Sequence, residues 1–291
     1  MEETIANNTY PMIFYDLPAS DDYALKAWSP NTWIVRLVLN VKRLPYRTEW
    51  VEFPDIQALY TKLGILPKSK KMDGSPWYTV PIIHDPSTNT TISEVFLIVQ
   101  YLDTHYPSST TATISTAINS PTVATVESPD SLSFIPIRLI PPKSRNLMLT
   151  FERAIRPEIW VPTYHLVQYD IFKSIPSERA KQYYRKDREE IMHPAKKLED
   201  TILSPDERKS KLEQLQAGYE QVGKWMDVEG GEYVAGDHLT LADIYIVSIF
   251  MWMKALTGEN DEAWKAVMCW EGGRWERYLD NLEREGFLKI Y

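Results

Sequence analysis

Residues 12–15, Met-Ile-Phe-Tyr, form an apolar run of strand length. A polar loop follows, with Pro18, Asp21 and Asp22. The spacing then becomes Ile34, Leu37, Val38 and Val41, the three- and four-residue steps of a helix over 31–41. Ser29 and Pro30 precede it as an N-cap and a first-turn proline. Residues 46–53 alternate loosely, as a strand does, and 55–63 read as a short helix. Strands at 78–83 and 90–92 are separated by the turn Asp85-Pro86-Ser87-Thr88-Asn89, and a helix over 94–104 closes the unit. The predicted order is β-α-β-α-β-β-α, an α/β domain over residues 10–106.

The period disappears over residues 107–145. Residues 108–133 are rich in Ser, Thr, Ala and Pro and have too few apolar positions to build a core. The end of this stretch, with Leu132, Phe134, Ile135, Ile137, Leu139 and Ile140, is apolar and costly to leave in water. The expectation is an insertion or linker, mobile over 110–130 and docked over 132–140. Beyond it the helical period holds through an all-α domain, residues 146–291. Helices are expected over 143–171, 177–203, 206–227, from 241 onward, 262–270 and 274–284. Thr240 and Asp243 have capping-box spacing before a segment that is apolar all round, hence buried.

Ten Trp and seventeen Tyr suit aromatic-lined cavities as well as plain core packing. The formal net charge is −8 and no basic stripe appears, which argues against a nucleic-acid partner. The single Cys269 excludes a disulfide framework and any paired-cysteine metal site; a small buried apolar role is expected for it. The acidic start lacks a signal-peptide core, and the longest apolar run is about half of the roughly twenty residues of a membrane span. A soluble, cytoplasmic protein with no membrane span and no resident metal is expected.

The segment Tyr78-Thr79-Val80-Pro81-Ile82-Ile83 holds a proline inside an apolar run, which disfavours a central strand. It makes sense if the Val80–Pro81 bond is cis and the segment borders a ligand, so that the Val80 main chain can pair with an extended peptide. Glu94 lies where a strand ends and a helix begins, and a helix N-terminus attracts carboxylates. The two features together suit a small peptide carrying an ammonium and a carboxylate. A turn proline followed by an ordinary capped helix is the plainer alternative.

These residues resemble the thioredoxin-fold half of a glutathione transferase, and Thr240-Leu241-Ala242-Asp243-Ile244 resembles the capping box of that superfamily's helical domain. Trp28-Ser29-Pro30-Asn31-Thr32-Trp33, Asp73-Gly74-Ser75-Pro76-Trp77-Tyr78, Glu262-Ala263-Trp264-Lys265 and Trp270-Glu271-Gly272-Gly273-Arg274-Trp275 look like the fungal serine-type class, which is related to bacterial β-aryl etherases. The resemblance implies a thioredoxin-like domain joined to an all-helical one, glutathione as cosubstrate, and a cytoplasmic homodimer in detoxification or secondary metabolism. It implies that Ser29 holds the glutathione thiolate, a role that can coexist with capping. Asn31 and Thr32 offer further donors. Val80, beside Pro81, would bond the cysteinyl backbone, and Glu94 the γ-glutamyl ammonium. Val95 stands where family members usually carry Ser, so its N–H survives and a hydroxyl is lost. Lys70 or Lys71 could offset this by reaching the ligand's other carboxylate, or simply be solvated. The absence of cysteine at position 29 argues against glutaredoxin-like exchange. Trp160, Tyr164, His165 and Trp252 are candidate walls for a hydrophobic, aromatic second substrate, with Tyr23 as a roof and Tyr15 in the core. The expected chemistry is thiolate addition, ether cleavage or glutathione-dependent isomerisation. A non-catalytic ligand carrier with the same fold is the rival reading.

Overall fold

β1 (Met12–Asp16) and β2 (Tyr46–Trp50) pair in parallel, and α1 (Pro30–Val41) makes the crossover between them. The structure is a computed structural model that describes residues 10–71, 73–109, 136–191 and 196–291. Next come α2 (Ile56–Leu63), a hairpin of β3 (Ser69–Lys70) and β4 (Pro76–Trp77), β5 (Ile82–Asp85), β6 (Thr90–Ser93) and α3 (Val95–His105). The sheet order is β2-β1-β5-β6, with β5 antiparallel to both neighbours. This is the thioredoxin-like domain expected from the sequence.

Two strands are shorter than predicted. β5 begins only at Ile82, because Pro81 has no N–H to give a ladder. β2 stops at Trp50, before the tight turn Phe53–Asp55 that contains Pro54.

The strand directions define a functional edge. β1 and β6 end where β5 begins: Tyr15 is opposite Ile82, and Ile82 is opposite Ser93. The loop into α1, the Val80–Pro81 step and the start of α3 therefore meet at that edge. A buried ion pair holds it. Arg36 Nη2 of α1 donates to Asp16 Oδ2 at 2.7 Å, both side chains being inaccessible to solvent. Burial raises the Asp16 pKa; the guanidinium opposes the shift, as does the Thr32 hydroxyl beside it.

The second domain contains α4 (Arg145–Ile155), α5 (Val161–Ser174), α6 (Glu178–Ile191), α7 (Pro205–Glu229), α8 (Leu241–Thr257) and α9 (Glu262–Arg284). The helix predicted over 143–171 is interrupted by a wide π turn, Arg156–Trp160, which contains Pro157; proline removes one helical donor. α7 crosses this turn at Gly218, where a Cβ would lie 2.0 Å from the Glu158 carbonyl oxygen. The helix predicted over 177–203 ends as α6 at Ile191, and a short turn follows at Leu198–Thr201; residues 192–195 lie outside the described part. Trp270 to Gly273 leave helical geometry within α9, which preserves the predicted break. Cys269 is exposed rather than buried: α9 turns Trp264, Val267 and Met268 inward, and the next position faces out.

α8 packs on α1 and is buried everywhere except at Lys254 and Thr257. Its capping box forms as predicted. The Asp243 carboxylate accepts from the Thr240 N–H and hydroxyl, the Val234 N–H and the Tyr278 hydroxyl, at 2.8 to 3.0 Å. No helix among the described residues is long and apolar enough to cross a membrane.

The predicted mobile stretch 110–130 lies outside the described residues, as do Leu132, Phe134 and Ile135. Its flanks are described. β7 (Ser108–Ser109) pairs with β8 (Pro136–Ile137). Leu139 is fully buried, so this part of the apolar end docks. Asp103 accepts from the Leu139 and Ile140 N–H groups and pairs with Lys42, while the Leu139 carbonyl accepts from Leu241 N–H of α8.

Candidate active site

Ser29 is the N-cap of α1 by its extended backbone, and its carbonyl accepts from Trp33 N–H at 2.9 Å. Its side chain makes no capping hydrogen bond. The residue is mostly buried at the sheet edge. The Thr32 hydroxyl donates to the Ser29 carbonyl at 3.0 Å, which gives Thr32 a structural role. Asn31 is exposed in the first turn of α1. Tyr15 is core, as expected.

The Val80–Pro81 bond is cis. Val80 is buried beside β5. The Tyr60 hydroxyl, from α2, donates to the Thr79 carbonyl at 2.9 Å and fixes the approach to that step. Nothing local along the chain signals this contact, because Tyr60 looks like one more apolar position of a short helix.

Glu94 has φ 76° and ψ 121°, a left-side conformation that a non-glycine residue rarely adopts and that is held by its surroundings. It places Glu94 at the N-cap of α3 with no side-chain cap, so the cap residue's side chain does not take up the first N–H groups of that helix, Val95 included. Ser69 of β3 donates to Glu94 Oε1 at 3.0 Å, a second contact that the sequence did not reveal. Pro81 and Glu94 adjoin the paired residues Ile82 and Ser93. Ser29, Val80, Pro81, Glu94 and Val95 therefore belong to one edge of the sheet.

Lys71 follows β3 on the same hairpin, but its ammonium is engaged: Nζ lies 2.7 Å from Asp187 Oδ1 on α6. Lys70 is exposed.

The proposed second-substrate residues divide into two groups. Trp160 and Tyr164 stack at 5.4 Å, and Trp252 closes on both, but Trp252 is core rather than wall. The Arg156 guanidinium covers the Trp160 ring at 4.2 Å. His165 and Tyr23 instead line a separate cavity of about 470 Å³, with Tyr169, Lys173, Arg208 and Asp261, whose lining omits Ser29 and the Val80 and Glu94 segments. Burial, with Lys211 nearby, lowers the His165 pKa, so the imidazole is neutral near pH 7. Burial and the nearby Asp170 and Asp22 push the Tyr23 phenol up to about 12, which makes it a poor source of a phenolate.

A thioredoxin-like domain packed through its first helix against a buried, capped helix of an all-helical second domain is the architecture of glutathione transferases. Residues 28–105 match the family model "Glutathione S-transferase, N-terminal domain", and residues 146–284 match "Glutathione S-transferase, C-terminal domain". The chain belongs to the glutathione transferase family. Glutathione transferase GSTFuA3 from Phanerochaete chrysosporium superposes with a TM-score of 0.78 at 31% identity, over 97% of this chain and 99% of that one. The glutathione S-transferase CsGST63524 of Ceriporiopsis subvermispora, solved in complex with glutathione, gives 0.79 at 32% identity, over 97% and 99%. Among curated proteins, the glutathione S-transferase-like protein ustS of Aspergillus flavus is 31% identical over 102 residues, 33% of this chain and 36% of that protein. The match therefore spans little more than a third of that curated relative.

Proposed function

We propose that this protein is a glutathione transferase that binds glutathione at the Ser29 edge and uses its thiolate on a hydrophobic, aromatic small molecule. The observation that carries the reading is the Ser29 side chain. It stands at the start of α1 and is not consumed as a cap. Bound glutathione supplies the thiol nucleophile, whose free pKa is about 8.5. The Ser29 hydroxyl and the positive pole of α1 stabilise the anion and bring that pKa down. Asn31 adds a donor in the same turn.

The Val80 main chain receives the cysteinyl backbone. The Glu94 carboxylate receives the γ-glutamyl ammonium; Ser69 leaves its second oxygen available. Val95 N–H and the first turn of α3 receive the γ-glutamyl carboxylate. Thiolate addition, ether cleavage and isomerisation all begin with this anion, and the stacked Trp160 and Tyr164 suit an aromatic second substrate. The reading includes a cytoplasmic homodimer and the domain limits 10–106, 107–145 and 146–291.

A second reading, a carrier without catalysis, is favoured by Val95 and by the unusual Ser/Thr-rich composition of residues 107–145. The missing hydroxyl weakens binding by about ten- to a hundredfold. Calorimetric titration with glutathione, paired with spectroscopic titration of the bound thiol, separates the two. The enzyme reading requires binding in the high micromolar to millimolar range and a thiol midpoint below that of free glutathione. Binding with an unshifted midpoint leaves the carrier.

A further inference from the structure

Helix α6 is tied to the thioredoxin-like domain around the Ser29 edge. Ser177, at its start, donates to Glu52 Oε2 at 2.6 Å, and Arg179 pairs with Asp55 and Glu52. Aromatic contacts run from Trp28, the neighbour of Ser29, to Phe53 at 6.3 Å and on to Tyr184 of α6 at 5.3 Å. The last tie is Lys71 to Asp187. The hairpin that carries Lys71 also contacts Glu94 through Ser69. Tyr183, Asp187 and Glu190 recur at helical spacing, and all three bear on the Lys71 ammonium. The Lys71–Asp187 pair is partly sheltered, with exposures of 32% and 15%, so solvent screens its attraction only in part.

We propose that Asp187 is a specificity-determining residue that withholds Lys71 from the ligand. The proposal rests on the glutathione reading above and concerns the ligand's other carboxylate, on its glycyl end. A carboxylate arriving at the hairpin must displace Asp187 to gain the ammonium, so one charge-assisted hydrogen bond is exchanged for another with little net gain. The site then binds a tripeptide with a free glycyl carboxylate and its neutral ester almost equally. α6 thus sets ligand selectivity from the second domain without entering the chemistry.

The test is calorimetric titration of glutathione and glutathione glycyl ethyl ester against four proteins: wild type, Asp187→Asn, Asp187→Asn with Glu190→Gln, and Asp187→Asn with Lys71→Met. The Glu190→Gln variant prevents Lys71 from transferring to that carboxylate. Wild type should bind the two ligands with a Kd ratio near unity. The variant lacking both acids should prefer the free carboxylate about tenfold, and Lys71→Met should abolish the preference. Melting temperatures should stay close to wild type, because Ser177, Arg179 and Tyr184 still hold α6. A strong preference in wild type overturns the proposal, as does a ratio unchanged in the variant lacking both acids. Absence of binding of either ligand to all four proteins overturns the glutathione reading itself, and this proposal with it.

Discussion

Arg36→Met should destabilise the protein severely, and in a pH-dependent way. Arg36 Nη2 lies 2.7 Å from Asp16 Oδ2, and Nη1 donates to the Tyr46 hydroxyl and Thr48 Oγ1 at 3.3 and 3.2 Å. Its guanidinium is surrounded by the rings of Phe14, Trp33, Tyr46 and Trp50 at 5.0 to 5.7 Å. Methionine fits that apolar surround but leaves Asp16 ionised in a site with no access to water. Removing one partner of such a pair costs about 3–5 kcal/mol, a large share of the roughly 5–15 kcal/mol that holds a domain together. The variant has a cheaper option: Asp16 keeps a proton. Burial already raises its pKa, and loss of Arg36 removes the main opposing influence. The native variant then binds a proton that the unfolded chain releases above about pH 3.9, so its stability falls as pH rises from there, by up to about 1.4 kcal/mol per unit. Urea unfolding at pH 4.5 and 7.5 with a common m value measures both quantities. The penalty should be modest at the lower pH and complete at the higher. Asp16→Leu combined with Arg36→Met should recover most of the loss at pH 7.5. A penalty under about 1 kcal/mol at pH 7.5, or equal penalties at the two pH values, would refute the reasoning.

Val95→Ser should tighten glutathione binding by about ten- to a hundredfold in calorimetry; an unchanged Kd means that another group already serves the γ-glutamyl carboxylate. Ser29→Ala should return the bound thiol's titration midpoint toward about 8.5 while the melting temperature barely moves, since the side chain makes no cap bond; a large drop in melting temperature with an unshifted midpoint would make Ser29 only structural. Arg185 holds the Glu199 carboxyl at about 2. Glu199→Gln should therefore be less stable than wild type at pH 6, where the pair is ionised, and the gap should shrink steadily as pH falls from about 4.5 toward 2, where Glu199 is losing its charge; a deficit at pH 2 as large as at pH 6 would show that the ion pair is not its cause.

What could be read from the sequence is what depends on neighbours along the chain. Ser29-Pro30 marks a helix start, Pro81 in an apolar run marks a special backbone step, and Thr240 with Asp243 marks a cap; all three reflect the conformational limits of proline or the reach of a short side chain. The sheet edge follows from strand order, so the position of Glu94 was legible too. Pairings across the fold were not. Lys71 meets Asp187 across 116 positions of sequence, and nothing local distinguishes either from a solvated charge. Arg36 was hidden within the helical stripe of α1, although a charge among apolar neighbours, with an aspartate closing the preceding strand, was a usable sign of a buried pair. Cys269 misled because cysteine is often buried, whereas its place on α9 depends on which face that helix turns inward.

The pairing of Ser108–Ser109 with Pro136–Ile137 gives the chain a closed neck. The two ends of the stretch 110–135 are held together by main-chain bonds, and Leu139 anchors the exit between Asp103 and α8. For flexible sequence added at such a neck the closure entropy grows only with the logarithm of the added length, each doubling costing about 0.6 kcal/mol. The neck is thus an address at which whole modules can be inserted or exchanged while the folds on either side keep their stability. The chain can therefore acquire new sequence at this point without renegotiating its core.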